Sequence, residues 1–340
     1  MKYTAKDFKS DQEVRWCPGC GDHALLASLQ RALPVVADKL GYKKEDFVFI
    51  SGIGCSSRAP YYVDTFGFHS IHGRAIPIST GIKVSNPKLS LWVATGDGDA
   101  LAIGGNHFIH GIRRNIDLNV ILFNNQIYGL TKGQYSPTSP IGKITNTSPY
   151  GTVEYPFNPG SLVMGARGTF FSRSIDVDIK LTQENFIASA LHAGCSINEV
   201  LVNCMIYNNG AHKAITDKEV REDRTIILRQ GEPMIFGKNR DKGIMLDRDS
   251  ITLKVVKLGE NGITEKDLLV HDSHNNNIGI HNMLIDMKYP EFPVALGVIR
   301  DVKDITYDSS VQEQVDKVKA ESKIKCVDDI LHSGSTWEVN

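Results

Sequence analysis

Short apolar runs alternate with stretches of helical periodicity along the first two thirds of the chain. The apolar runs predict strands at residues 47–50, 91–94, 118–123, 169–172 and 200–205. Apolar residues near helical spacing predict helices before and between them, at residues 20–41, 101–114 and 186–193. Repeated β and α elements predict an α/β fold built on a doubly wound parallel sheet.

The remaining segments carry weaker signals. We expect residues 1–15 to form an N-terminal arm, residues 16–212 to hold the α/β domain, and the charged, irregular residues 213–340 to form a C-terminal extension. Residues 131–159 are rich in Gly, Pro, Ser, Thr and Asn and lack periodicity. A loop of that length favours a functional role. The stretch 271–277 (HDSHNNN) is interpreted as a polar loop rather than a metal site.

Polar side chains follow two successive predicted strands. Asp97 lies in a GDG segment after the strand at 91–94, and Asn125 follows the strand at 118–123. Parallel strands bring their carboxyl ends to one sheet edge, so these side chains can meet there. Oxygen ligands that leave positions open suit Mg²⁺ completed by substrate phosphates. Gly96 and Gly98 would let backbone N–H groups approach a diphosphate.

Composition and charge narrow the class of protein. The 340 residues are 41% hydrophobic and 23% charged, with a net charge of -1. This balance gives no sign of nucleic-acid or membrane-surface binding. No apolar run approaches transmembrane length, and the polar N-terminus lacks a signal-peptide core. We therefore expect a cytoplasmic protein whose six cysteines are metal ligands or buried thiols.

Four cysteines are candidate metal ligands. Cys17 and Cys20 form a CPGC turn, whereas Cys55 and Cys204 follow separate apolar runs. A pair of thiolates plus two distant single ones suits a [4Fe–4S] cluster, and zinc accepts four thiolates equally well. Cys195 is expected in the last turn of a helix, as a buried thiol.

Several motifs occur together in one order. GDG followed by NN resembles the thiamin diphosphate motif, and it lies among WCPGCG, GIGCSS, HGRAIPISTGIK and NNQIYGLTKGQYSPTSP. That order resembles the β subunit of 2-oxoacid:ferredoxin oxidoreductases over residues 16–212, with a weaker echo at 293–300. The KGQ-x-SPTSP form is most similar to the 2-oxoglutarate and broad-range members.

The resemblance implies specific cofactor ligands. It assigns magnesium to Asp97, Asn125 and the backbone carbonyl of Ile127, and a [4Fe–4S] cluster to Cys17, Cys20, Cys55 and Cys204. The positions that match thiamin diphosphate contacts are Ile53, Gly54, Cys55, Ser56, Gly98, Asp99, Gly129 and Leu130. His72 is a catalytic candidate near the diphosphate or the reacting carbon, or else an ordinary polar residue of the interior.

The resemblance also implies a reaction and partners. A 2-oxoacid is decarboxylated with coenzyme A to an acyl-CoA and CO₂, and electrons pass through thiamin diphosphate and the cluster to ferredoxin. A separate α subunit would supply a catalytic glutamate and most coenzyme A contacts, and residues 213–340 would pack on it. Arg58 and Lys132 are candidates for the distal carboxylate of 2-oxoglutarate, or else ordinary surface cations.

Other functions remain open at this level. The 2-oxoacid could be pyruvate, or the enzyme could accept a broad range of 2-oxoacids. A non-redox thiamin diphosphate decarboxylase subunit would leave the four cysteines without a role. An iron–sulfur electron-transfer module would leave the GDG and NN segments without one.

Overall fold

The main sheet has a strand order that requires crossover connections, because strands adjacent in the sheet are not always consecutive in the chain. The computed structural model describes residues 2–339. Within them, the strand order of the main sheet is β2-β1-β3-β4-β6-β5-β11-β7, and a smaller sheet has the order β10-β9-β8. The strands are β1 (Phe47–Ser51), β2 (Phe66–His69), β3 (Ser90–Gly96), β4 (Leu118–Asn124), β5 (Phe170–Ile175), β6 (Cys195–Leu201), β7 (Thr225–Leu228), β8 (Ile235–Phe236), β9 (Lys242–Asp247), β10 (Thr252–Lys257) and β11 (Val294–Asp301).

Helices connect these strands. They are α1 (Asp22–Leu40), α2 (Ala59–Tyr62), α3 (Ala75–Ser85), α4 (Gly105–Arg113), α5 (Pro159–Gly165), α6 (Ile179–Leu191), α7 (Lys213–Thr216), α8 (Arg221–Arg224), α9 (Ile278–Asp286), α10 (Tyr307–Glu321) and α11 (Val327–Leu331). Short 3₁₀ turns occur at Ala5–Phe8, Lys44–Asp46, Ser56–Arg58 and Glu265–Asp267, and a π-helical turn occurs at Asp99–Ile103. None of the helices between residues 2 and 339 is long and apolar enough to cross a membrane.

Both faces of the sheet are covered. On β3, Leu91 and Val93 pack with α3 and α4, whereas Trp92 and Ala94 pack with α1 and α6. Successive residues of a strand point to opposite faces, so an apolar run of this kind needs helices on both sides. The prediction of a doubly wound α/β sheet is confirmed.

The parallel arrangement has one exception. Strands β2, β1, β3, β4, β6 and β5 are parallel, but β11 pairs antiparallel with β5 and parallel with β7. The segment predicted as a C-terminal extension therefore contributes two strands to the main sheet. Packing of residues 213–340 on a partner subunit stays a prediction.

Three local expectations were wrong. Cys195 is the first residue of β6 and does not lie in a helix, because α6 ends at Leu191 and Gly194 turns the chain at φ 135°. The strand expected at 200–205 consequently begins earlier and ends at Leu201, which leaves Cys204 in the loop after it. The helix expected at 101–114 is a π-helical turn followed by α4 from Gly105.

Candidate active site

A cleft opens at the carboxyl ends of β1, β3 and β4. Its cavity volume is about 140 Å³, and the cleft is partly open to solvent. The cleft brings together His72 and all the residues predicted to contact magnesium or thiamin diphosphate: Ile53, Gly54, Cys55, Ser56, Asp97, Gly98, Asp99, Asn125, Ile127, Gly129 and Leu130. Strand order explains the convergence, since β1, β3 and β4 are neighbours in the sheet.

Asp97 is a buried carboxylate with one oxygen still available. Ser136 Oγ donates to its Oδ2 at 2.6 Å, and Thr138 Oγ1 donates to the same oxygen. Within residues 2–339, no side chain donates to Oδ1. Burial raises the pKa of Asp97 to about 6, although the two hydroxyls act in the opposite direction. A cation beside Oδ1 would remove the cost of keeping this carboxylate charged.

The turn after β4 exposes one backbone carbonyl. Asn125 Oδ1 accepts a hydrogen bond from the Ile127 N–H at 3.1 Å, and Gln126 adopts φ 56°. Asn208 Nδ2 donates to the carbonyls of Asn125 and Gln126, and Ser139 Oγ donates to that of Gln126. No described residue donates to the carbonyl of Ile127. That oxygen is therefore free to meet a metal ion in the cleft, as is the second lone pair of Asn125 Oδ1.

Asp99 organises the opposite wall. Its Oδ1 accepts from the N–H groups of Ile53 (3.0 Å) and Gly73 (2.7 Å) and lies 2.6 Å from His72 Nδ1. Its Oδ2 accepts from Thr95 Oγ1 at 2.6 Å. A carboxylate at Nδ1 favours the histidine tautomer with its proton on that nitrogen, which leaves Nε2 as the acceptor. Asp99 thus holds two loops together and orients His72.

Two glycines permit close approach. A Cβ on Gly98 would lie 2.5 Å from Cζ of Tyr128, whose hydroxyl donates to the Gly98 carbonyl at 2.9 Å. A Cβ on Gly129 would lie 3.5 Å from Cys55 Sγ and 3.6 Å from Cys204 Sγ. The turn that follows the Asn125 motif therefore packs directly against two of the four predicted cluster ligands.

The four cysteines are neighbours. Cys20 N–H donates to the carbonyl of Cys17 at 3.0 Å, which closes the turn between them. Burial raises the pKa of Cys55 to about 12, and the nearby Asp22, Cys204 and Cys17 raise it further. Burial also raises the pKa of Cys20, with contributions from Asp22, Cys204 and Cys55. Thiols in such surroundings ionise only when metal cations compensate their charge.

The residues between 2 and 339 include no group of three or more His, Cys, Asp or Glu side chains arranged around a single metal ion. A [4Fe–4S] cluster binds each cysteine through a different iron, so its ligands do not converge on one point. The assignment of Cys17, Cys20, Cys55 and Cys204 to such a cluster stays a prediction.

Two predicted substrate contacts lie outside the cleft. Arg58 ends the 3₁₀ turn after β1 and lines an adjoining cavity, which shares Gly54 and Leu130 with the cleft. Lys132 is exposed and adopts φ 77°, two residues beyond Leu130. Both flank the entrance, and their proposed contacts with a substrate carboxylate stay predictions.

The sequence reasoning missed two polar residues of the cleft. Asp22, the first residue of α1, is fully buried there; its Oδ1 has no hydrogen-bond partner, and burial raises its pKa to about 7. Tyr128 forms part of the wall, and burial beside Asp97 and Asp99 raises its pKa to about 12. An acidic residue in the first turn of a helix is common, so Asp22 carried no distinguishing signal.

The fold and the cleft define a class of protein, the thiamin diphosphate-binding domains. Residues 52–200 match the family model described as the C-terminal TPP binding domain of thiamine pyrophosphate enzymes. The chain is 46% identical over 338 residues to "2-oxoglutarate oxidoreductase subunit KorB" of Mycobacterium tuberculosis. The aligned residues cover 98% of this chain and 88% of that relative. The chain belongs to this family, the KorB subunits of 2-oxoacid oxidoreductases.

A further relative and a solved structure are also similar to this chain. The "2-oxoglutarate synthase subunit KorB" of Archaeoglobus fulgidus is 44% identical over 189 residues, covering 56% of this chain and 69% of that relative. The solved 2-oxoglutarate:ferredoxin oxidoreductase of Magnetococcus marinus, with 2-oxoglutarate, coenzyme A and succinyl-CoA bound, is 28% identical. It superposes with a TM-score of 0.76 over 98% of this chain and 97% of that one.

Proposed function

We propose that this chain is the thiamin diphosphate-binding β subunit of a 2-oxoglutarate:ferredoxin oxidoreductase. The enzyme converts 2-oxoglutarate and coenzyme A to succinyl-CoA and CO₂ and delivers the electrons to ferredoxin. One observation carries the proposal. The cleft that collects Asp97, Asn125 and the Ile127 carbonyl lies against Gly129, and Gly129 packs on Cys55 and Cys204.

Magnesium and the diphosphate would be held at the strand ends. Asp97 would supply the charged ligand through Oδ1, Asn125 and the Ile127 carbonyl would be neutral ligands, and the remaining positions would be open to the diphosphate. Thiamin diphosphate, when bound, supplies the carbon nucleophile that attacks the 2-oxo group and holds the electrons released on decarboxylation. Gly98 leaves room for the Tyr128 ring in the wall of the cleft, and His72, oriented by Asp99, would accept or donate a proton at Nε2.

The four cysteines would hold a [4Fe–4S] cluster beside this cleft. Cys55 lines the cleft itself, and Cys204 lies next to the backbone of Gly129. The distance between the cofactor and the cluster would therefore be short, as electron transfer requires. This arrangement favours an oxidoreductase over a non-redox decarboxylase, in which the cysteines would have no role.

A separate α subunit would complete the site. The cleft is partly open to solvent, and two large apolar side chains are exposed beside its lining residues: Leu130 (45%), which lines it, and Ile71 (70%), next to His72 in the chain. Exposed apolar surface of this kind marks a protein–protein contact. The α subunit would supply the glutamate that activates the cofactor and most of the coenzyme A contacts. Ferredoxin would be a further, transient partner.

The choice of 2-oxoglutarate rests on the relatives and on two cations. Three of the similar proteins carry that substrate in their names. Arg58 and Lys132 would reach a distal carboxylate from the rim of the cleft, a contact that pyruvate could not use. A cytoplasmic location is proposed on the six cysteines, all of which are free.

The test is an anaerobic assay of the chain purified with its α subunit. We expect coenzyme A-dependent reduction of ferredoxin, with formation of succinyl-CoA, from 2-oxoglutarate at a higher kcat/KM than from pyruvate or 2-oxobutyrate. Preference for pyruvate would replace the substrate assignment. Decarboxylation without reduction of ferredoxin would support the non-redox decarboxylase, and loss of all thiamin diphosphate binding would support the electron-transfer module.

A further inference from the structure

A buried ion pair lies behind the proposed magnesium site. Arg173 on β5 donates from Nε to Glu199 Oε2 on β6 at 2.6 Å, and both side chains are buried. Neither residue lines the cleft. Replacing a buried ion pair by apolar side chains is often neutral or stabilising, so stability alone does not account for this pair.

A chain of hydrogen bonds connects the pair to Asp97. Glu199 Oε1 accepts from Asn124 Nδ2 at 2.8 Å, and Asn124 Oδ1 lies 3.0 Å from Thr138 Oγ1. Thr138 Oγ1 in turn donates to Asp97 Oδ2. Every side chain in this chain is buried, and the path crosses the sheet edge from β5 through β6 and β4 to β3.

The charge of Glu199 fixes the orientation of the amide. A carboxylate only accepts hydrogen bonds, so Asn124 must turn its NH₂ toward Glu199 and its oxygen toward Thr138. Arg173 holds the carboxylate from the other side, and its own Nη2 donates to Asn158 Oδ1 at 3.3 Å. The threonine hydroxyl has one proton, which it gives chiefly to Asp97 Oδ2, the nearer acceptor, and shares more weakly with Asn124 Oδ1 at 3.0 Å.

We propose that Glu199, anchored by Arg173, is a positioning residue of the metal site that acts through Asn124 and Thr138 to fix the Asp97 carboxylate. Thr138, together with Ser136, keeps Oδ2 occupied, so that Oδ1 is the oxygen presented to the cation. The inference rests on the proposed function, because it assumes that Asp97 binds the magnesium of thiamin diphosphate.

The test measures metal affinity in the chain purified with its α subunit and stripped of metal and cofactor. Mn²⁺ is titrated at saturating thiamin diphosphate, and free Mn²⁺ is followed by its room-temperature EPR signal. Loss of a residue that orients a metal ligand typically weakens metal binding by ~10–100-fold. Glu199 lies two residues further from the metal than such a residue, because Asn124 and Thr138 stand between it and Asp97. For Glu199→Gln we therefore expect the Mn²⁺ affinity to fall by roughly three- to tenfold. Arg173→Lys, which keeps the charge, should give a smaller loss in the same direction.

Ser172→Ala is the matched control. Ser172 and Asn198 share a buried hydrogen bond (2.8 Å) on the same two strands, one residue away from the ion pair. This variant should unfold more easily but bind Mn²⁺ as the wild type does. Thr138→Val tests the path. If Glu199 acts through Thr138, adding Glu199→Gln to Thr138→Val should weaken binding no further.

Equal Mn²⁺ affinity in Glu199→Gln and the wild type would overturn the inference, as would losses that multiply in the double variant. Should Glu199→Gln fail to fold, the pair of Arg173→Lys and Ser172→Ala still decides, because only the former should weaken metal binding. Failure of the wild type to bind Mn²⁺ with thiamin diphosphate would overturn the proposed function as well.

Discussion

Replacement of Gly98 by alanine tests the packing of the cleft. The backbone conformation of Gly98 accepts any residue, but the neighbouring Tyr128 ring leaves no room for a Cβ. The φ of -65° and ψ of -37° at Gly98 are open to any residue, so Gly98→Ala introduces no backbone strain. The added Cβ would lie 2.5 Å from Tyr128 Cζ and closer still to Cε1. Carbon atoms pack at about 3.5–4.0 Å, so the ring or the loop must move by roughly 1 Å.

The cost follows from that displacement. Overpacking of a well-packed site costs about 1–3 kcal/mol, and Tyr128 cannot move without loosening its hydrogen bond to the Gly98 carbonyl. At about 2 °C per kcal/mol for a chain of this size, the unfolding temperature should fall by roughly 2–6 °C. The GDG turn should shift with the ring, and this displacement should weaken the binding of thiamin diphosphate. A loss of about 1.4 kcal/mol in the binding free energy corresponds to a tenfold loss of affinity, which is the minimum we expect.

Gly105→Ala is the matched control. Gly105 begins α4 just after the same turn, and a Cβ there would meet nothing within 4 Å. Alanine is favoured over glycine in a helix by up to about 1 kcal/mol, so this variant should be neutral or slightly more stable. Thermal unfolding and calorimetric titration of the cofactor measure both variants. The steric reasoning is refuted if Gly98→Ala and Gly105→Ala behave alike, or if trimming Tyr128 to Ala fails to rescue Gly98→Ala.

Further predictions concern the ligands and the substrate. Asp97→Asn should abolish magnesium-dependent binding of thiamin diphosphate, because the remaining ligands are neutral; unchanged affinity by calorimetry would refute the ligand assignment. Burial raises the pKa of Asp97 to about 6, and protons compete with metal for its charged form, so magnesium affinity should fall as the pH drops below about 6 and level off above it. Cys204→Ser should lose iron, whereas Cys195→Ser, at the buried start of β6, should keep it, as measured by iron content. Arg58→Met or Lys132→Met should raise the KM for 2-oxoglutarate about ten- to a hundredfold more than that for 2-oxobutyrate, the worth of a charge-assisted hydrogen bond.

The central strands and the residues of the cleft could be predicted from the sequence by simple rules. Strands β1, β3 and β4 consist mostly of apolar residues, because helices cover both faces of the sheet. Parallel strands with adjacent positions bring Asp97 and Asn125 to one edge, and the sequence predicted this meeting without knowledge of the order of the other strands.

The position of strand β6 was predicted wrongly for a physical reason. The strand is wholly buried, yet it carries Ser196, Asn198 and Glu199 among its apolar residues. These polar side chains are satisfied by partners on neighbouring elements, such as Ser189 for Asn198 and Arg173 for Glu199. A pattern of hydrophobic positions cannot anticipate partners so distant in sequence, and the strand was therefore placed too late.

Strands β7 and β11 were missed for another reason. They lie in a segment whose overall composition is charged and irregular. Strand β11 joins the sheet through long-range pairing with β5, and β7 joins it only through pairing with β11. Strand β2 is short and exposed along its whole length, so burial gives it no pattern. The burial of Asp22 likewise depends on tertiary packing, and no local signal sets it apart from other acidic residues at a helix start.

We propose that one chain binds both thiamin diphosphate and the [4Fe–4S] cluster that first accepts the electrons, and that this chain is active only in complex with its α subunit. The most direct measurement is the low-temperature EPR spectrum of the anaerobic α–β complex mixed with 2-oxoglutarate, before and after coenzyme A. We predict a reduced [4Fe–4S] signal that depends on thiamin diphosphate and magnesium and that is absent both in Cys204→Ser and in the β chain alone. A complex that decarboxylates 2-oxoglutarate with no cluster signal, or a β chain that gives the signal unaided, would contradict the account.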